Sequence, residues 1–388
     1  MDDPLLWFSA AGFALLLVLA LDLLSGWNKV PDLDDVPDGD DLPGGAPWPR
    51  LSIVVAARDE ERHLESAMTS LLALDYPALE IVAVDDRSAD ATGAILDRLA
   101  ASDARLRVLH VRELPAGWLG KNHALQRGAE RAAGELILFT DADVVFQPRA
   151  LRKTVRLMLD RRADHLALVP DIHVPGLLAS GFVATFGLFF TVFTRPWKVP
   201  DPKSRAHLGI GAFNLVRATA WHAVGGHTKI ALRPDDDLKL GKILKQGGFR
   251  ALAATGRSQA TVEWYATLGE AVRGLEKNMF AGVEYSVAAV VFSTAMMCYV
   301  WLWPFVGVVV ASGAARWTCA AAIVVEFVLY VLANRRTRVP PWMFLLFPIG
   351  SLLFVYCFWR SMILALVRGG IVWRGTLYPL AALRANRV

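Results

Sequence analysis

Five short apolar runs constrain this chain more than anything else in it: Leu51–Ala56, Glu80–Val84, Leu106–Val111, Glu135–Thr140 and Leu166–Val169. Helical patterns separate the first four, at Arg62–Leu74, Thr92–Ala101 and Asn122–Ala133. Strand–helix alternation of this kind predicts an α/β fold with a mostly parallel sheet covered on both faces. Ligands of such sheets gather at the carboxyl ends of the strands, so the residues that follow each run carry weight. They are polar and largely acidic: Arg58-Asp59-Glu60-Glu61, then Asp85-Asp86, then Asp141-Ala142-Asp143.

The remainder is apolar. The 388 residues are 54% hydrophobic and only 20% charged, and the mean hydropathy is +0.37. That balance implies a water-facing domain joined to membrane spans. Residues 4–24 are long enough to cross a bilayer. They follow Asp2-Asp3 and not a basic start, so an uncleaved anchor is expected. Further spans are expected at 285–311, 317–333 and 341–367. Residues 176–197 are also long enough, but crossing there would divide the acidic stretches between two sides of the membrane. An interfacial or buried helix is expected instead. The Pro-, Gly- and Asp-rich stretch 31–49 is expected to be a linker with solvated acids.

The expected organisation is an N-terminal anchor (1–27), an acidic Pro/Gly linker (28–49), an α/β domain (50–284), transmembrane helices (285–370) and a basic tail (371–388). Arg335-Arg336-Thr337-Arg338 should face the cytoplasm by the positive-inside rule, which puts the α/β domain there too. Three simple spans would then leave the tail outside, unless Pro348 and Gly350 break the last segment into a re-entrant hairpin. The net charge of +4 is explained by arginines near apolar segments. No RNA-binding signature or zinc finger accompanies it, so no nucleic-acid partner is expected. Cys298, Cys319 and Cys357 lie in apolar stretches without a CxxC, and the histidines lack HExxH spacing. Neither a disulfide framework nor a zinc enzyme is expected.

The Thr140-Asp141-Ala142-Asp143 tetrad is the most chemical of these segments. Two carboxylates at i and i+2 on a strand face the same side. Burying them together is costly unless a cation meets them, and Mg2+ is usually bound by one or two carboxylates plus substrate phosphates. Helix capping is the competing reading. It is weaker here, because the next helix is expected to start at Pro148, after Gln147. Lys121, near a helix N-terminus, either points to solvent or meets a bound phosphate. Asp235-Asp236-Asp237 either begin a helix or supply a base near an acceptor hydroxyl.

Taken in order, Ser52–Glu60, Val84–Thr92 with its Val-Asp-Asp-x-Ser, Gly120-Lys121, the DxD of Asp141 and Asp143, and the late acidic pair resemble family 2 glycosyltransferases with a GT-A domain. The resemblance spans roughly residues 50–280. Pro115–Asn122, Asp201–Ala206 and Lys277-Asn278 are similar to bacterial membrane-bound members associated with hopanoids and carotenoids. The resemblance implies a nucleotide-diphosphate sugar donor held by Ala57, Glu60, Asp85, Asp86, Lys121 and Asp141. It implies Mg2+ or Mn2+ at Asp143. It aligns Asp236-Asp237 with the family's acidic pair, with Asp237 as general base and Asp235 as fallback. The expected reaction is inverting transfer of a sugar to a hydroxyl of a lipid or isoprenoid acceptor. The expected location is the cytoplasmic face of the bacterial inner membrane, in a multi-pass protein. The family's Glu-Asp pair is Asp-Asp here, and no QxxRW follows; the corresponding place reads Arg273–Lys277. That argues against a processive polysaccharide synthase. A nucleotidyltransferase would need a basic Gly-rich loop where Arg58–Glu61 stands, and a non-catalytic scaffold would leave Asp141, Asp143 and Asp237 without a task.

Overall fold

The computed structural model describes residues 3–388. The chain forms two compact units. One comprises residues 30–172, 196–263 and 385–388; the other comprises Lys29 and the residues before it, 173–195 and 264–384.

The first unit is built on one sheet of eight strands. These are β1 (Leu51–Ala57), β2 (Leu79–Asp86), β3 (Leu106–Val111), β4 (Leu136–Asp141), β5 (Val144–Phe146), β6 (His165–His173), β7 (Asn214–Arg217) and β8 (Ala251–Glu263). Their order is β3-β2-β1-β4-β7-β6-β8-β5. The first four are mutually parallel, as the alternation with α2 (Leu64–Leu72), α3 (Thr92–Ser102) and α4 (Gly120–Ala129) requires. β7 runs antiparallel to β4 and to β6, and β5 antiparallel to β8. Strand alternation sends successive residues of β1 into different cores. Ile53 and Val55 pack with Met68, Ile81 and Leu138, whereas Val54 packs with Leu125, Phe139 and Leu240.

Three local expectations are corrected. β4 ends at Asp141, so Asp143 stands in the turn before β5 and strand alternation does not orient it. The following helix, α5 (Ala150–Asp160), begins two residues after Pro148. Gln147 is still tied to the sheet there, donating its backbone N–H to the Gln259 carbonyl at 2.9 Å. The acids of residues 31–49 are not simply solvated. Asp34 accepts from the Gln259 side chain at 2.9 Å, and Asp40 accepts from Arg149 at 2.5 Å. Arg156 donates to the Gly39 carbonyl at 3.2 Å, and Leu33 is fully buried. The stretch is a strap on the α/β unit; the Arg149 contact holds the Asp40 carboxyl below its usual range.

Two helices follow β7: α7 (Ala218–Ala223) and α8 (Asp236–Gln246). The C-terminal residues also belong to this unit. The Asn386 side chain accepts from the Leu232 N–H at 2.9 Å and donates to the Lys229 carbonyl at 3.0 Å. Lys242 reaches the Val388 carbonyl at 2.5 Å.

The second unit is helical: α1 (Pro4–Gly26), α6 (Leu177–Thr194), α9 (Leu268–Gly282), α10 (Val287–Met297), α11 (Trp303–Val310), α12 (Gly313–Asn334) and α13 (Phe347–Val367). A hairpin of β9 (Gly370–Trp373) and β10 (Thr376–Pro379) leads into α14 (Leu380–Ala385). Among the described residues, five helical segments are long and apolar enough to cross a membrane: Pro4–Lys29, Leu177–Lys198, Val287–Val310, Gly313–Asn334 and Pro341–Val367. α13 is unbroken. Pro348 sits in its first turn, where the missing N–H costs nothing, so the helix runs on through Gly350.

Candidate active site

The sheet register brings the sequence-predicted residues to one edge. Ala57 lies beside Asp85 across β1 and β2, and Ala56 beside Asp141 across β1 and β4. The loops that follow are laced together. Glu60 donates its N–H to the Thr92 hydroxyl at 2.8 Å, and Asp59 accepts from the Ala89 N–H at 2.8 Å. Asp59 and Arg87 sit at positive φ, the strain of two tight turns leaving the sheet.

Asp85 and Asp86 are buried but not vacant. Asp85 lies 2.9 Å from His110 Nδ1, and His110 Nε2 lies 3.0 Å from Asp97, a relay that raises the imidazole pKa, chiefly through Asp85. Asp86 takes both donors of Arg87, at 2.8 and 2.9 Å. A side chain at Gly120 would run into Asp86, so that glycine lets the start of α4 approach β2.

A cleft of about 240 Å³, open solvent at its mouth included, gathers Lys121, Asp141, Asp236 and Asp237 with Gly211, Asn214 and His227. Ala57, Glu60, Asp85 and Asp86 do not line it. Lys121, in the first turn of α4, lies 2.6 Å from Asp141 and 3.8 Å from Asp236. Burial alone would lower its pKa, but Asp141, Asp236 and Asp237 together hold it raised. The lysine therefore answers carboxylates from two distant segments, which resolves its conflict with the helix dipole.

Asp237 stands at the start of α8. One carboxylate oxygen accepts the Gly211 N–H and the other its neighbour Leu238's N–H, both at 2.8 Å. Burial raises its pKa, with Asp141 adding and Lys121 opposing. The Gly209–Phe213 loop is held against it by contacts that only glycine permits. A Cβ at Gly209 would collide with the Asp237 carbonyl, and one at Gly211 would stand 2.7 Å from an Asp141 oxygen. Asp235 is different: both of its oxygens are taken by buried Arg233 at 2.9 Å. Asp235, the expected fallback base, is thus engaged by Arg233 through both oxygens.

Asp143 carries the other distinctive feature. Its Oδ1 is buried without a hydrogen-bond partner. Burial, then the charges of Asp141 and Glu60, push its carboxyl up to about 7. A cation is what such a group lacks. Among the described residues no cluster of three or more His, Cys, Asp or Glu could hold a metal unaided. The carboxylates present fit an ion that completes its shell with substrate oxygens and water.

Four supporting residues were not singled out from the sequence. Asn122 donates to the Ile230 and Arg233 carbonyls at 2.7 and 2.9 Å, clamping the loop before α8. His165 meets Asn214 at 2.5 Å, and the Asn214 amide lies 3.4 Å from the Asp237 carbonyl. His227 accepts from the Trp221 indole at 3.2 Å; burial lowers its pKa to about 3, which keeps it neutral. Only the turns that flank them, Gly209–Gly211 and Gly225-Gly226, are visible locally.

A mostly parallel sheet with acids at its carboxyl edge and a lysine answering them has the α/β architecture of the GT-A type. Comparison with known sequences agrees: residues 52–200 match the family described as "Glycosyl transferase family 2". The 4,4'-diaponeurosporenoate glycosyltransferase of Staphylococcus haemolyticus is 23% identical over 238 residues, 60% of this chain and 62% of that protein. The beta-monoglucosyldiacylglycerol synthase of Synechocystis is 34% identical over 111 residues, 28% of this chain and 23% of that protein. The chain thus spans less than two thirds of the length of either relative. Among solved structures, the mannosyltransferase PcManGT of Pyrobaculum calidifontis, determined with GDP-Man and Mn2+, superposes with a TM-score of 0.55. It is 18% identical and covers 92% of this chain and 99% of that one, a likeness of fold.

Proposed function

We propose that the protein is an inverting, metal-dependent glycosyltransferase that moves a sugar from a nucleotide-diphosphate donor to a hydroxyl of a membrane lipid or isoprenoid. The observation that carries this is the cleft that joins Lys121, Asp141 and Asp237 from separate segments of the chain, the first two within the stretch that matches family 2. Donor phosphates suit Lys121, whose positive charge is already partly matched by Asp141. Ala57, Glu60, Asp85 and Asp86 are assigned to the nucleoside, and Asp141 to the donor's ribose or sugar. Asp143 is the residue to hold Mg2+ or Mn2+, which when bound supplies Lewis-acid stabilisation of the charge on the departing diphosphate. Asp237 takes the proton of the acceptor hydroxyl, and its raised pKa brings it nearer to the operating range of a general base. Asp236 sits beside it and steadies Lys121. One base and one direct displacement give inversion at the anomeric carbon.

The lipid acceptor is supported by the five long apolar helices and by relatives named for a carotenoid-type acid and for diacylglycerol. One sheet holds both β6, ending at His173, and β7, beginning at Asn214. The chain between them therefore leaves and returns on one side of a bilayer, which supports an interfacial place for α6. Residues 385–388 pack on the same unit, which supports no more than two of the three membrane-length helices between Glu263 and Ala385 crossing the bilayer. With Arg335–Arg338 facing inward, the α/β unit lies on the cytoplasmic side of a bacterial inner membrane. Incubating membranes with a panel of labelled sugar nucleotides and extracting lipids tests the reading. Label in the lipid phase is expected; label only in water-soluble product would overturn the lipid acceptor.

A further inference from the structure

The helical unit contains a second cavity, of about 500 Å³ including its open mouth, between α9, the end of α13 and β9. Arg273 and Lys277 enter it from one face of α9, four residues apart, and Arg368 enters from the end of α13. Against these three basic side chains the lining holds one carboxylate, Glu276, which meets Arg360 at 2.6 Å and Arg368 at 3.8 Å. The cavity therefore keeps an excess of positive charge. Trp373 forms one wall, and the Lys277 ammonium lies 3.9 Å from its ring centroid, which orients the lysine.

Leu364, Ala365 and Ile371 add apolar lining. Apolar side chains continue outward from it: Val367 is 79% exposed and Val372 46%. Cations around a mouth, an indole beside them and an exposed aliphatic path at the end of a membrane-length helix complement an amphiphile with an anionic head. We propose that this cavity binds the phosphate headgroup of a membrane lipid, at a site distinct from the Asp237 cleft. Inorganic phosphate shares the charge but leaves the aliphatic path unused, so the observations favour the lipid.

The full chain in neutral detergent would be titrated with dioleoyl phosphatidic acid, dioleoylglycerol and inorganic phosphate, with bound lipid counted by native mass spectrometry. No sugar donor is present, so the result stands or falls separately from the transferase reading. Saturable binding of one phosphatidic acid is expected, with no comparable binding of dioleoylglycerol. Arg273→Gln with Arg368→Gln should weaken it at least about tenfold, through loss of charge-assisted contacts. Equal binding of both lipids, or undiminished binding by a folded double variant, would overturn the proposal. So would displacement by equimolar inorganic phosphate, which would mark a free-anion site. If the double variant fails to fold, Trp373→Phe and the lipid preference of the unaltered chain decide.

Discussion

Lys121 Nζ lies 2.6 Å from an Asp141 carboxylate oxygen, joining the first turn of α4 to the end of β4. The same ammonium stands 3.8 Å from Asp236, so one cation ties together acids 95 positions apart in the chain. Its charge also holds the Asp237 carboxyl lower than burial alone would. Lys121→Met should therefore have two effects. The donor KM should rise about tenfold or more, from loss of a charge-assisted contact. The acid limb of the kcat–pH profile should move to higher pH, because the base then protonates more readily. An unshifted limb would separate Lys121 from Asp237.

Asp237→Asn should lower kcat by about 10²- to 10⁴-fold, the usual range for loss of a positioned base. Donor binding, measured by calorimetry, should change little. Unchanged turnover would remove Asp237 from the chemistry.

Asp143→Asn keeps the shape of the side chain and removes its charge. The buried Oδ1 has no protein partner to lose, so the fold should tolerate the change. Sugar transfer should fall about 10²- to 10³-fold, as for loss of a group that stabilises transition-state charge. Mn2+ binding in the presence of a nucleoside diphosphate, read by electron paramagnetic resonance, should weaken in parallel. Full activity with ordinary Mn2+ affinity would refute the metal assignment.

Asp235→Asn should behave in the opposite way. It leaves Arg233, which is fully buried, without its bidentate partner. Breaking such a pair costs about 3–5 kcal/mol. A marked fall in thermal midpoint is expected, with turnover per folded molecule close to normal. A stable but inactive variant would return Asp235 to the list of candidate bases.

His165 supplies a pH dependence with a definite sign. Burial lowers its pKa to about 4, against an ordinary value near 6.5. The folded state therefore binds fewer protons than the unfolded state between those values. The stability from keeping this histidine neutral is complete above about pH 6.5 and is lost as pH falls toward 4. About 3 kcal/mol is at stake across that window, by order of magnitude. His165→Asn should flatten this part of the stability–pH curve measured by denaturant titration. An unchanged slope would place the acid sensitivity elsewhere.

The sequence alone determined the parallel half of the sheet. β1 to β4 are short, continuously apolar runs separated by amphipathic helices, a pattern with one common solution. It also located the acids at the carboxyl edge, because where each apolar run stops is a local property. β5 and β8 were not legible, and β7 was only a strand-like run after a Gly-rich turn. β5 has three residues and gains its identity from pairing with β8, more than a hundred residues away. The acidic linker misled for a related reason. Its composition is that of a solvated coil, but Arg149, Arg152 and Arg156, on and just before α5, present one face to it. Only the tertiary structure could separate three consecutive aspartates. Arg233 claims Asp235, Lys121 approaches Asp236, and the Gly211 N–H receives Asp237. Periodicity governs which backbone forms locally, whereas the role of a carboxylate depends on which distant donor folding brings within about 3 Å of it.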